Sequence, residues 1–204
     1  RVVYAVAADG SSDPELLVST EFEIWEVVWT RDGRGLVFRQ NHPTTGRDIW
    51  TVSLSGDRQL RPLVVTQFSD DSPALSPDGL WLAYVSDESG RREVYVRPMD
   101  GGGRWQVSAE GGTEPVWGPR AGELFYRSGE SLVSVRVRGS PTFTVEGRET
   151  VFVGRYRGLP VTANYDVHRS GQRFVMVAAG EEEAGLVVAV NWVEEVQARL
   201  TARR

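Results

Sequence analysis

The chain has 204 residues, 40% of them hydrophobic and 25% charged, with a formal net charge of -5. That is enough apolar material for one or two packed domains, and the excess of acid over base argues against a nucleic-acid-binding surface, which needs a basic stripe. The 22 glycines, 10 prolines and 7 tryptophans favour many short strands joined by tight turns, and no apolar run is long enough to span a membrane.

All 23 basic residues are arginine, so no lysine amine is available for Schiff-base chemistry. With no cysteine either, thiol catalysis, thiolate metal sites and disulfides are excluded, while the compartment stays open. The first residue is Arg1 and the opening "RVVYAVAADG" reads as the middle of a strand, so an upstream segment is expected.

In chain order, residues 1–20 read as the last two strands of a unit, "ADGSSDPELLVST" matching the later "MDGGGRWQVS". Full units follow at "WTRDGRGLVFRQNHPTTGRDIWTVSL", "LSPDGLWLAYVSDESGRREVYV" and "WGPRAGELFYRSGESLVSVRV", and a last one at "VHRSGQRFVMVAAGEEEAGLVVAV". Each has an apolar landmark (Trp29, Leu75, Trp117, Val167) that is expected to pack between units, then a turn glycine (Gly33, Gly79, Gly122, Gly171). After the turn comes an alternating strand; Trp81, Ala83 and Val85 should share one face and Leu82, Tyr84 and Ser86 the other. Both faces are largely apolar, as in a sheet sandwiched between two others. A period in the forties with four short strands per unit predicts an all-β fold, a β-propeller of four-stranded antiparallel blades. An open antiparallel sandwich is the alternative, but it does not explain so steady a period.

The expected units are residues 1–20 (end of a blade), 26–66, 70–108 and 113–154 (blades), and 163–204 (last blade and terminal helix). That makes about four and a half blades, and a six-bladed ring of some 24 strands would place about one and a half more before Arg1. In "NWVEEVQARLTARR", Trp192, Val193, Val196 and Leu200 fall near helical spacing and predict a short terminal helix. Open sheet edges at both ends would favour self-association.

The segment "SPDGLWLAYVSDESGRREVYVRPMDGGGRWQVSAEGGTEPVWGPRAGELFYRSG" resembles TolB-like, WD-repeat-like propeller repeats of bacteria. "NYDVHRSGQRFVMV", continued by "LVVAVNWVEEVQARL", is similar to the end of propellers that follow a membrane segment in bacterial receptor-like serine/threonine kinases. The resemblance implies an extracytoplasmic sensor or binding module. It does not bring kinase activity, because no phosphate-binding lysine, His-Arg-Asp or Asp-Phe-Gly is present. The repeat's Ser-Pro-Asp-Gly is intact only at Ser76–Gly79 and becomes "TRDG", "GPRAG" and "HRSG" elsewhere, so it reads as turn chemistry, with Asp78 in a local hydrogen-bonding role.

A catalytic set is not found. His42 and His168 fall in different units and loops, which argues against a shared zinc site, and no Gly-x-Ser-x-Gly elbow or Gly-x-Gly-x-x-Gly occurs. The acidic runs Asp70-Asp71 and Glu181–Glu183 read as solvated loops. What remains is a positional ring: Glu26, Ser72, Glu114 and Asn164 each stand three residues before the landmark, where an innermost strand starts. These four are the candidate ligand-binding residues at a channel mouth; being polar and partly acidic, they suit a cationic or hydrogen-bonding group. No catalytic residue, metal or cofactor is expected, and the partner is a protein or small molecule. The enzyme-linked alternatives are the substrate-gating propeller of a prolyl-oligopeptidase-type hydrolase and a hydrolase or lyase in its own right.

Overall fold

A computed structural model of the chain describes residues 1–139, 142–158, 162–178 and, as backbone, 186–189. The described residues form five antiparallel sheets in chain order. Sheet A pairs β1 (Val2–Ala5) with β2 (Glu15–Ser19). Sheet B runs β3 (Glu23–Trp29), β4 (Gly35–His42), β5 (Gly46–Ser53) and β6 (Leu60–Val64), each hydrogen-bonded to the next. Sheet C repeats this order with β7 (Asp70–Leu75), β8 (Trp81–Ser86), β9 (Glu93–Pro98) and β10 (Trp105–Gln106). Sheet D comprises β11 (Thr113–Trp117), β12 (Glu123–Ser128), β13 (Ser131–Arg138) and β14 (Thr144–Val153). Sheet E holds β15 (Tyr165–Val167), β16 (Phe174–Val177) and β17 (Leu186–Ala189). Sheets B, C and D are the four-stranded antiparallel blades that the repeat predicts. The predicted terminal helix and Glu181–Glu183 lie outside the described residues.

The alternation in β8 works as its sequence dictates. Ala83 and Val85, with Trp81 beside them, join the core between sheets C and D, while Leu82 and Tyr84 join the core between B and C. Sheet C therefore has two apolar faces and packs face to face with sheets B and D. Full burial of a side chain such as Tyr84, Leu124 or Val94 contributes about 1.5–3 kcal/mol.

The turn after each inner strand is built from local hydrogen bonds. Gly33, Gly79, Gly122 and Gly171 all take φ near +70°, a region costly for a side chain bearing Cβ. In the intact motif, Asp78 Oδ1 accepts from Ser76 Oγ (2.5 Å) and the Leu80 amide (3.0 Å), and the Trp81 amide donates to Ser76 Oγ (2.9 Å). Asp32 repeats this with Thr30 and Arg34, while His168 and Ser170 form a substitute in "HRSG".

Two expectations are corrected. Trp29 does not pack between sheets among the described residues; it is 53% exposed, and the sheet beside it consists there of β1 and β2. Asp70 and Asp71 are not in a solvated loop. They open β7 and are buried, because each meets donors from neighbouring elements.

Candidate functional site

The inner strands β3, β7 and β11 each carry a register break just where the candidate residues sit, between Trp25 and Val28, Asp71 and Ala74, and Thr113 and Val116. Glu26, Ser72 and Glu114 occupy these bulges at φ of 52°, 56° and 56°. Holding a non-glycine residue there costs about 1–3 kcal/mol, so surrounding contacts must fix it. Asn164, just before β15, stands at the same place in sheet E without that conformation.

The structure brings these residues together in pairs across the seams. Glu26 Oε2 accepts from the Ser72 amide at 3.3 Å, and Glu114 Oε2 accepts from the Asn164 amide at 2.8 Å. Ser72 and Glu114 have no such bond between them among the described contacts; Ser72 Oγ donates instead to Asp71 Oδ1 at 3.0 Å. Across the strand, Trp25 pairs with Arg39, Asp71 with Val85 and Thr113 with Arg127. Glutamate at the bulge thus goes with arginine on the next strand, and serine goes with valine. Arg39 Nε donates to Glu26 Oε2 at 2.5 Å and its Nη1 to Asn41 at 2.6 Å. Burial raises the carboxyl pKa of Glu26 against the opposing pull of Arg39, and burial raises that of Glu114 likewise.

A second cluster, not among the candidate residues, breaks the repeat. The Asp71 side chain has no exposed surface and accepts from Arg47 Nη1 (2.8 Å) and from Arg92 Nη1 (3.0 Å) and Nη2 (2.6 Å). Arg47 and Arg92 are repeat equivalents, each two residues before the partner of the inner-facing strand position, Ile49 and Val94. Their side chains remain 38% and 25% exposed. Sheet D has Glu130 in this place, and the positions matching Asp71 are Trp25 and Thr113. The convergence of two guanidiniums on one buried carboxylate therefore occurs only at the seam of sheets B and C among the described sheets.

Buried acids at the starts of β5 and β9 hold the loops around this end. Asp48 accepts from Thr45 Oγ1 at 2.5 Å, and Glu93 accepts from Arg91 Nε (2.6 Å), the Gly111 amide (3.0 Å) and Ser108 Oγ. Asp70 accepts from Thr66 Oγ1 at 2.7 Å, and burial pushes its pKa up to about 6. Beside the cluster runs a shallow groove of about 540 Å³ lined by Thr45, Gly46, Gln67, Phe68, Ser69, Asp87 and Gly90. A larger groove of about 710 Å³, lined by Trp81, Trp117 and Phe143, lies at the glycine-turn end.

The arrangement offers hydrogen bonds and charge. His42 Nδ1 is engaged by Thr44 and His168 Nδ1 by Ser170, in separate sheets. Among the described residues, no group of three or more His, Cys, Asp or Glu is placed to hold a metal, and no helix is long and apolar enough to cross a membrane.

No family model matches the sequence. A TolB homolog of Chlorobaculum tepidum is 28% identical over 123 residues, 58% of this chain and 27% of that protein. Among solved structures, TolB from Acinetobacter baumannii superposes with a TM-score of 0.67 at 17% identity, over 92% of this chain and 45% of that one. The fold is a TolB-like β-propeller. A puromycin-hydrolyzing peptidase of Mycobacterium tuberculosis shares this propeller fold, with a TM-score of 0.67, 21% identity and coverage of 91% and 33%. The chain spans 6 to 27% of the lengths of the curated relatives it matches.

Proposed function

We propose that this TolB-like propeller is a non-enzymatic binding module, part of a larger extracytoplasmic sensor or interaction platform. Its contact face is the end where the inner strands begin. Glu26, Ser72, Glu114 and Asn164 mark that face, with residues 26–66, 70–108, 113–154 and 163–204 as its blades. The observation that carries the reading is the broken repeat at Asp71, where two guanidiniums meet one buried carboxylate; departures from a fold's local rules gather at functional sites. Arg47 and Arg92, still partly exposed, place that difference at the surface.

The test is a selection of binders from a random displayed-peptide library, followed by blocking variants. Gln67→Trp fills the groove beside the cluster, and Arg34→Trp alters the opposite, turn end. Selected peptides should lose binding to Gln67→Trp and keep it to Arg34→Trp. The reverse pattern would move the contact face to the turns and overturn the reading.

A second reading is favoured by the likeness to the peptidase: a propeller that gates substrates for a hydrolase domain in the same polypeptide. A hydrolase domain encoded in frame with this chain, and peptide hydrolysis that changes with Gln67→Trp, would establish it.

A further inference from the structure

Sheets B and C use matching strand positions differently at the end where the turn glycines sit. In sheet C the turn closes on Trp81, whose carbonyl accepts from the Ser76 amide at 2.9 Å; in sheet B the Gly35 carbonyl accepts from the Thr30 amide, also at 2.9 Å. Trp81 pairs across the strand with Pro98, and Val96 pairs with Trp105. The matching pairs in sheet B are Gly35 with Ser53 and Thr51 with Arg61. Trp81, Trp105 and Phe143 pack with ring centroids 5.0, 5.1 and 6.0 Å apart and close the C–D seam at this end. Glycine, serine, threonine and arginine leave the B–C seam open there, as a groove of about 700 Å³. That volume lies in the range of about 300–1,000 Å³ typical of small-molecule sites.

The groove is lined by Arg31, Arg34 and Arg61, and none of the three side chains makes a hydrogen bond or ion pair among the described contacts. The turn of sheet C rests on the stem of Arg31: a Cβ on Gly79 would stand 2.8 Å from the Arg31 Cβ. This contact orders Arg31 in advance and lowers the cost of using it. Two carboxylates share the lining, Asp32 and Asp78, and each engages Oδ1 in its own turn while Oδ2 has no partner among the described contacts. Hydrogen bonds from Thr30 Oγ1 and the Arg34 amide hold the Asp32 carboxyl below its ordinary pKa, so it stays charged. Three guanidiniums thus stand beside two carboxylates, an excess of one positive charge in the lining. Thr51 and Ser53 donate to the Leu36 and Ser55 carbonyls and keep their oxygens as acceptors.

A guanidinium fork matches a planar carboxylate, and ionised aspartates accept from hydroxyl groups. A ligand that suits both halves of the groove carries one carboxylate beside several hydroxyls. We propose that this groove binds a polyhydroxylated monocarboxylate, a sugar acid, with Arg34 and Arg61 pairing to its carboxylate and Asp32 and Asp78 accepting from its hydroxyls. The site lies at the opposite end of the sheets from the contact face proposed above and does not depend on that reading.

Calorimetry on the full chain compares glucuronate with glucose, which has the hydroxyls without the charge, and with acetate, which has the charge without the hydroxyls. Glucuronate should bind at least about tenfold more tightly than either, a difference of about 1.4 kcal/mol. Arg34→Gln and Arg61→Gln should each remove most of the advantage over glucose. Arg155→Gln is the control, at an exposed pair with Glu130, and should leave that advantage within about twofold. Since Arg34 and Arg61 have no side-chain partner in the fold, both variants should keep the wild-type midpoint in urea.

Equal affinity for glucuronate and glucose, no binding at millimolar concentration, or an equal loss in Arg155→Gln overturns the proposal. Acetate binding as tightly as glucuronate would show that the hydroxyls are idle, and overturns the sugar-acid assignment. So does glucose 6-phosphate binding more tightly than glucuronate, which would give the groove to phosphate esters. A urea midpoint that falls in step with the affinity would make Arg34 and Arg61 structural, and the proposal fails.

Discussion

Between sheets C and D the seam is filled with hydrocarbon: Ala83, Val85, Val94, Val96, Leu124 and Val135 are fully buried there, with Trp81, Trp105 and Trp117 packed against them. Between sheets B and C the core is smaller, and its inner end carries Glu26, Arg39, Arg47, Asp71 and Arg92. Both seams join equivalent strands of the same repeat. Apolar contact holds a seam without direction, whereas an ion cluster is costly to bury and demands geometry. The first seam therefore rests on apolar contact throughout, and the second combines a smaller apolar core with a fixed polar geometry.

The comparison is sharpest at two tryptophans in one repeat position. Trp117 packs against the C–D core and donates its Nε1–H to the Ala74 carbonyl at 3.0 Å, while Trp29 stands 53% exposed with sheet A opposite. Trp117→Ala should cost about 3 kcal/mol, near the low end for removing an aromatic core side chain because the ring is only half-buried. Trp117→Phe keeps most of the packing and should cost about 1 kcal/mol for the lost hydrogen bond. Trp29→Ala should change stability by less than about 0.5 kcal/mol. Urea unfolding of the three variants measures this, and equal losses at Trp29 and Trp117 would break the contrast between a closed seam and an open side.

The polar seam gives the next effect. Asp71→Asn keeps the shape but removes the charge that two guanidiniums share, and should cost about 2 kcal/mol, in the range for hydrogen bonds to charged groups. The loss should shrink when Arg47 is already glutamine, since one of the two donors is then gone. A double-mutant cycle in urea reads the coupling directly, and additive losses would show that Arg47 and Asp71 act independently.

The sequence was most informative where the physics is local. Turn glycines, strand alternation and the Asp78 hydrogen bonds depend on residues within a few positions of each other, so Ser76–Trp81 could be read straight from its letters. The bulges at Glu26, Ser72 and Glu114 left no such signature, because a left-handed conformation at a non-glycine residue is imposed by its surroundings. Their position three residues before each landmark was visible, yet their partners were not: Ser72 lies 46 positions from Glu26 and Asn164 lies 50 from Glu114. Asp71, 24 positions from Arg47 and 21 from Arg92, was mistaken for part of a solvated acidic run for the same reason. One signal could have found it: Arg47 and Arg92 share a repeat position, and a repeated arginine beside an unrepeated aspartate points to a cluster.

The smallest effect concerns the other acid of that run. Folded Asp70 titrates near 6, above the 3.8 of an unperturbed aspartate, because burial disfavours its charged form. Between those values the folded chain binds the proton more tightly than the unfolded chain, so protonation of Asp70 favours folding. This contribution is complete below about pH 3.8 and is lost as pH rises through about 6. Asp70→Asn cannot titrate, so the melting temperature of the variant relative to the wild type should climb between pH 4 and 7 and level off above. The hydrogen bond from Thr66 can still reach the side-chain carbonyl of asparagine, which limits any loss at low pH. Thermal melts of both proteins across that range test it; parallel curves would mean that Asp70 is solvated like an ordinary surface acid, and the B–C seam would then be looser than its packing implies.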